Sequence, residues 1–333
     1  MKVLIVKMSS LGDVIHTLPA LTDAVAARPE LSFDWVVEEA FSEVPGWHPA
    51  VERVIPIALR RWRKKPFSSF GGPEWRSFRQ SLDAGHYDLV IDAQGLLKSA
   101  FVARLASAPV YGFDRNSARE GAAALAYQHK IPVPREMHAV ERTRRLFAEA
   151  MGYPIPEAIG DYGVRARMPV SAGKQDKSLL FFHGSARGEK LWPQSHWIDL
   201  AQQAAQSGYR VWLPWGSDAE HHRAQEIAAA VESAQALPKL DLLGLASLLL
   251  EVNGSVAVDT GLGHLAAALD VPSVSLYGPT SVALIGSYGG NQTQLVSPLA
   301  CDNSVEPAEM MAAIEPEAVW EALQSLLPMD AKS

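Results

Sequence analysis

The chain has 333 residues, 48% hydrophobic and 20% charged, with a net charge of −7. That length exceeds one ordinary core and predicts two domains, and the composition excludes a disordered chain. The acidic balance excludes a general polyanion binder, so an acidic partner must be met by a local basic patch. Cys301 is the one cysteine, so no intramolecular disulfide forms, which fits a reducing compartment. The opening MKVLIVKMSSLGD does not read as a signal peptide, because Lys7 interrupts the apolar run after Val6. The apolar stretch at 242–250 is too short to span a bilayer. A cytoplasmic protein is expected.

Taken in order, VLIV (3–6), FDWVV (33–37), RVIPI (53–57) and DLVIDA (88–93) read as strands. DVIHTLPALTDAVAA (13–27) and EWRSFRQSLDA (74–84) between them have helical spacing. The break falls near 152–177, which is rich in Pro and Gly and lacks periodicity. Strands resume at SLLFFHG (178–184), YRVWLPW (209–215), GSVAVD (254–259) and SVSLYG (273–278), with helices near 196–207, 218–231, 241–250 and 262–269. This alternation predicts two α/β domains with parallel sheets covered on both faces. The expected division is 1–160, a linker and edge segment at 161–177, and 178–333, with the last helix a candidate to pack back on the first domain. Ligands are expected at the carboxyl ends of the strands.

Four strand-to-helix junctions carry candidate chemistry. VDTGLGHLAAALD places Asp259, Thr260, Gly261, Gly263 and His264 where a helix begins. A helix N-terminus offers unpaired N–H groups and partial positive charge, and glycines let backbone approach a phosphate. The competing reading is a capped turn with a packed histidine. KMSSLGD ends the first strand without GxGxxG, which argues against a dinucleotide site. Asp13 lies three residues after Ser10, so it is either a helix-capping acid or a carboxylate poised to take a proton. Ser217 and Glu220 form a capping-box pattern after LPWG. Lys190 sits on a loop before a helix that Ser195 is placed to cap, and a lysine there is either solvated or within reach of a diphosphate.

RRWRKK (60–65) sets five cations around Trp62 in an otherwise acidic chain. It is either a solvated face or a site for an anionic partner, and Trp62 is placed to dip into a membrane interface. No recognition motif accompanies it, so nucleic acid is not an expected partner. The ten histidines show no zinc spacing and no Asp-x-Asp pair occurs. No metal and no cofactor are expected.

Together, KMSSLGDVIHTLPALTDA, FDWVVEEAF, RRWRKK, YDLVIDAQGLLKSA, HAVERTR, LPWG, VDTGLGHLAAALD and YGPT resemble the lipopolysaccharide heptosyltransferases of glycosyltransferase family 9 across nearly the whole chain. RRWRKK and IDAQGLLKS favour the enzyme that adds the first heptose. The resemblance implies a GT-B fold, with two Rossmann-like domains facing a central cleft. The first would bind acceptor and the second the nucleotide sugar. It implies metal-free, inverting transfer from ADP-L-glycero-β-D-manno-heptose to the Kdo of Kdo2-lipid A, on the cytoplasmic face of the inner membrane, to which the enzyme is peripheral. By position, Asp13 matches the catalytic base, and Ser185, Ala186, Lys190, Glu220, Leu240, Asp259, Thr260, Gly261 and His264 match donor-binding positions. Ala186 stands where the family often has a threonine, so only its backbone is left to contact donor. Arg60, Arg61, Arg63 and Lys64 are the expected acceptor-binding cations. The alternatives are a sibling enzyme with a later acceptor, a non-catalytic nucleotide-sugar binding module, and a dehydrogenase, which the lack of GxGxxG disfavours.

Overall fold

The computed structural model describes residues 1–64, 69, 71–169, 177–302 and 304–328. It divides into two compact units, Met1–Arg167 and Met168–Ser333. The first contains β1 (Lys2–Val6), β2 (Ser32–Glu38), β3 (Val51–Ile57), β4 (Leu89–Asp92), β5 (Val110–Phe113) and β6 (His129–Ile131). These form one six-stranded parallel sheet in the order β3-β2-β1-β4-β5-β6. Val3 to Val6, Phe33 and Trp35 to Val37 have no exposed surface, as a sheet covered on both faces requires.

The second unit repeats the plan with β7 (Ser178–Phe182), β8 (Arg210–Leu213), β9 (Ala234–Ala236), β10 (Gly254–Val258), β11 (Ser273–Tyr277) and β12 (Gln292–Val296). Its parallel order is β12-β11-β10-β7-β8-β9. In each sheet the order reverses once, between β1 and β4 and between β7 and β10. The loops leaving those strands diverge there and open a crevice.

The expected helix over 13–27 is two helices, Leu11–Ile15 and Leu18–Ala27. Pro19 has no N–H to continue the first and is suited to the first turn of the second. The second packs against Ala139–Met151, and the buried Arg144 guanidinium donates to Asp23 Oδ2 at 2.6 Å across that contact. Ala139–Met151 ends at Gly152, whose φ of 70° is the left-handed stop that glycine supplies.

The division between units falls inside the expected 161–177 segment. Tyr162 and Val164 are buried, and Arg167 donates to the carbonyls of Gly46 and Pro49 at 3.0 Å each. Within that segment Arg165–Arg167 form a 3-10 turn. Residues 170–176 lie outside the described residues. The last helix, Pro316–Leu326, packs within the second unit against Gln194–Gln206 and strands β10, β11 and β12, burying Val319, Trp320 and Leu323. Gly254 admits it closely: a Cβ there would lie 2.9 Å from Leu327 Cδ2 and 3.0 Å from the Pro272 carbonyl.

Each unit buries a histidine whose pKa is depressed by burial. His48 is 1% exposed; its Nδ1 accepts from the Ala50 amide at 3.1 Å, leaving the proton on Nε2, which faces Thr22 Oγ1 at 3.0 Å. His183 is fully buried. Burial first, then nearby Arg167 and Arg223, pushes both down to about 4. The unfolded chain therefore binds more protons between about pH 6.5 and 4. Stability present above pH 6.5 is lost as pH falls through that window. At pH 5 the loss comes to roughly 2 kcal/mol per histidine. Urea unfolding at pH 7.5 and 5 checks it; unchanged midpoints, or a His48→Gln variant as acid-sensitive as the parent, would contradict it.

Candidate functional site

In the first unit the site grows from the carboxyl end of β1. Asp13 lies in the first turn of Leu11–Ile15 and accepts from the Ser10 amide at 2.9 Å and the Ser10 hydroxyl at 3.0 Å. It is therefore a helix-capping acid, the first of the two expected readings. Its other oxygen faces charge instead. Arg119 donates to Oδ1 at 3.2 Å, and Lys7 Nζ stands 3.7 Å from it. Burial alone would raise the Asp13 pKa, but Lys7, Arg119 and the Ser10 bonds outweigh it and hold the carboxyl below its ordinary value. Lys7 is itself buried, which lowers its pKa, while Asp13 pulls the other way. Its Nζ also donates to the Ala93 carbonyl after β4, at 2.9 Å.

Gln94 completes this crossing between β1 and β4, accepting from the Met8 amide at 2.8 Å. Buried Asp92 fixes the turn by accepting from the Gln94 and Gly95 amides, Ser99 Oγ and Tyr127 OH. The result is a small pocket of about 30 Å³ lined by Lys7, Asp13, Gln94, Phe113, Arg119 and Arg142 among others. A larger hollow of about 610 Å³, between β3 and Pro73–Asp83, does not include Asp13. The site is thus an ionised carboxylate held by two cations at a topological switch point. Lys7, Arg119, Gln94 and Arg142 were not singled out from sequence. Lys7 lies within the quoted KMSS, but Arg119 is 106 residues from Asp13 and gives no local signal.

In the second unit β10 runs into Asp259 and Thr260, and the helix Gly261–Ala268 begins. Thr260 occupies the capping position, yet its side chain makes no capping bond. The first amides of that helix have no intrahelical acceptor. Gly263 sits where a Cβ would come within 3.1 Å of Ala257 Cβ, so the helix packs close on the sheet. His264 is buried, its amide bonded to the Thr260 carbonyl at 3.4 Å. The buried Lys190 ammonium donates to Asp259 Oδ2, and Ser185 Oγ donates to the Asp259 carbonyl at 3.5 Å.

Glu220 joins this group from the first turn of the helix Asp218–Ala230, after β8. It accepts from the Gly216 and Ser217 amides at 2.7 and 3.1 Å, the expected capping box. Its carboxylate lies over Gly184, where a Cβ would be 2.4 Å from Oε1. Ser185, Lys190, Glu220, Asp259, Thr260 and Gly261 are therefore gathered at the carboxyl ends of β7, β8 and β10. Leu240 is half-buried just before the helix capped by Asp241, and Ala186 is exposed. Among the described residues, neither forms a hydrogen bond with that group. Ser195 is not the cap expected of it: Gln194–Gln206 starts one residue earlier, after Pro193.

The basic run departs most from expectation. Leu59–Trp62 follows β3, the edge strand, two strands away from β1. Trp62 is 4% exposed, packed edge-on to Trp75 and Phe78, with its indole N–H bonded to Glu74 at 2.8 Å. It does not reach outward as a membrane anchor, because its ring fills the space under its own short helix. Arg61 is committed to Glu39 and Glu74. Arg60 is exposed, with its amide on Glu38 Oε1 at 3.0 Å and its guanidinium over Phe41. Arg63 and Lys64 are exposed, and Lys65 lies outside the described residues.

Among the described residues, no three His, Cys, Asp or Glu side chains are grouped to hold a metal ion. No described helix is long and apolar enough to cross a membrane.

The family model of Glycosyltransferase family 9 (heptosyltransferase) matches residues 75–314. Lipopolysaccharide heptosyltransferase 1 of Pseudomonas aeruginosa is 54% identical over 302 residues, 90% of this chain and 85% of that protein. The structure of E. coli heptosyltransferase WaaC with ADP is similar with a TM-score of 0.90 at 46% identity, covering 98% of this chain and 100% of that one. WaaC with ADP-2-deoxy-2-fluoro heptose gives 0.86 at 45% identity, covering 98% and 99%. The chain belongs to glycosyltransferase family 9, the heptosyltransferases, and its two doubly wound parallel sheets are those of a GT-B glycosyltransferase.

Proposed function

We propose that the enzyme moves L-glycero-D-manno-heptose from ADP-heptose to the Kdo of Kdo2-lipid A, with inversion and without a metal, as a peripheral protein on the cytoplasmic face of the inner membrane. One observation carries the catalytic part: Asp13 is kept ionised at the end of β1 by Lys7 and Arg119. A carboxylate with a low pKa is a weak base toward a resting alcohol. The acceptor hydroxyl becomes strongly acidic as its oxygen bonds to the anomeric carbon, and Asp13 takes the proton at that stage. Attack from the face opposite the leaving phosphate inverts the centre.

The donor half rests on the second unit. The free amides at Gly261, the Thr260 hydroxyl and Lys190 present positive potential where charge grows on departing ADP. Asp259 neutralises Lys190, so diphosphate must share the ammonium with it. Glu220 and Leu240 would border the nucleoside, and the Ala186 backbone the phosphates. The WaaC structures with ADP and with ADP-2-deoxy-2-fluoro heptose support the donor. Arg60, Arg63 and Lys64 supply exposed charge for Kdo carboxylates and lipid A phosphates, while Arg61 would act by bracing that loop through Glu39 and Glu74.

ADP release from ADP-heptose tests the reading. Release is expected with Kdo2-lipid A, to be negligible without it, and to be unaffected by EDTA. Turnover only with an already heptosylated core would assign a later acceptor. Binding of donor with no turnover on either acceptor would make the chain a binding module. Loss on chelation, restored by Mg²⁺, would overturn the metal-free arrangement.

A further inference from the structure

Among the described residues of the first unit, four large hydrophobic side chains stand exposed, and three of them, Leu97 (55%), Phe101 (48%) and Leu125 (85%), lie on two adjoining elements. Leu97 and Phe101 are one turn apart on the helix Leu97–Arg104, so they share a face. Leu125 is on the 3-10 segment Gly121–Ala126, which packs against that helix. Glu120 fastens the two together: its carboxylate accepts from the Leu97 amide at 2.6 Å and its amide donates to the Gly95 carbonyl at 3.0 Å.

This patch is continuous with the basic run. Phe101 stacks on Trp75, centroids 6.3 Å apart and planes 14° apart, and Trp75 meets Trp62 at 5.8 Å. Trp62 closes the short helix that leads to the exposed Arg63 and Lys64. Arg104 ends the helix that carries Leu97 and Phe101 and is also exposed. Glu39 and Glu74 are held together by Arg61, and the Glu120 carboxylate is tied to the Leu97 amide. Arg63, Lys64 and Arg104 are exposed beside this apolar surface. Leu97 is three residues beyond Gln94, which lines the Asp13 pocket, so the patch begins at the rim of the acceptor site.

We propose that Leu97, Phe101 and Leu125, flanked by Arg63, Lys64 and Arg104, form the surface by which the first unit rests on an anionic lipid bilayer. Exposed apolar side chains enter the interfacial layer while cations around them meet lipid headgroups, and neither contribution suffices alone. The proposal deepens the peripheral reading of the proposed function: it names the surface and replaces Trp62 as the inserting group.

Flotation of the pure enzyme with vesicles of phosphatidylethanolamine and phosphatidylglycerol, roughly three to one, tests it. The parent should float with these vesicles and not with phosphatidylcholine vesicles. The triple change Leu97→Ser, Phe101→Ser, Leu125→Ser should lower the partition coefficient about tenfold or more. Its turnover of an acyl-free Kdo acceptor should stay at the parent level. Because Phe101 contacts Trp75, the single change Leu125→Glu serves if the triple variant unfolds, and it should also weaken flotation. A parent that does not float, or variants that float as well as the parent, would overturn the surface while leaving heptose transfer intact. Flotation that shifts as expected without turnover of any acceptor would overturn the proposed function and leave the surface standing.

Discussion

Replacing Asp13 with Asn should lower kcat by about 10²–10⁴-fold, the range for loss of a general base. The KM for ADP-heptose should hardly move, since Asp13 and the residues proposed to bind donor belong to different units. The amide can still accept from the Ser10 amide and so keeps the cap. It cannot balance Lys7, which is buried and stands 3.7 Å away, so some loss of stability should accompany the loss of rate. The two effects separate on Asp13→Glu, which restores charge but misplaces it. The pH profile is more telling. Asp13 is held below the ordinary aspartate value, so lowering the pH from 7 to about 5 should not switch off the parent enzyme through this group. Lys7→Met removes the neighbour that most lowers the Asp13 pKa and leaves burial to raise it. The acid limb of kcat should then move to higher pH. Near-normal turnover in Asp13→Asn with a lower Tm would make Asp13 a cap and nothing more.

Lys190→Gln should raise the Kd for ADP by roughly 10²-fold, the effect of losing a charge-assisted contact in a partly dry site. It should also destabilise the second unit by about 3–5 kcal/mol, because Asp259 is left as a buried carboxylate without its partner. A second variant separates the two losses. Changing Lys190→Met together with Asp259→Val removes both charges, so stability should return toward the parent while ADP binding does not. Calorimetric titration with ADP and urea unfolding read the two quantities independently. ADP binding recovered in the double variant would show that the lysine serves only to neutralise Asp259.

The two-fold α/β plan was legible in the sequence because buried parallel strands are short, nearly continuous apolar runs, and β1, β2, β7, β10 and β11 are of that kind. β6 and β9 escaped notice because they are three-residue strands at sheet edges, where little side-chain burial is demanded. β12 is an edge strand whose residues are only partly buried. Strand-to-helix junctions are also local, so the caps at Asp13 and Glu220 and the junction at Asp259–His264 could be read from spacing alone.

What spacing could not say is which of those acids meets cations as well as its cap. Ser10 and Asp13 form the same local pattern as Ser217 and Glu220. The difference is made by Lys7 across the β1–β4 junction and by Arg119, 106 residues away, which turn one capping acid into a carboxylate held ionised. The basic run shows the same division in reverse. Composition marked Arg60 to Lys64 as one patch, but packing buried Trp62 and spent Arg61 on Glu39 and Glu74. It also left Leu97, Phe101 and Leu125 outside, though nothing in their local sequence marks them. The sequence by itself determined periodicity, caps and turns, since these depend on residues within a few positions. The charge state of a carboxylate and the exposure of a ring depend on neighbours brought from distant strands, and only the tertiary structure decided those.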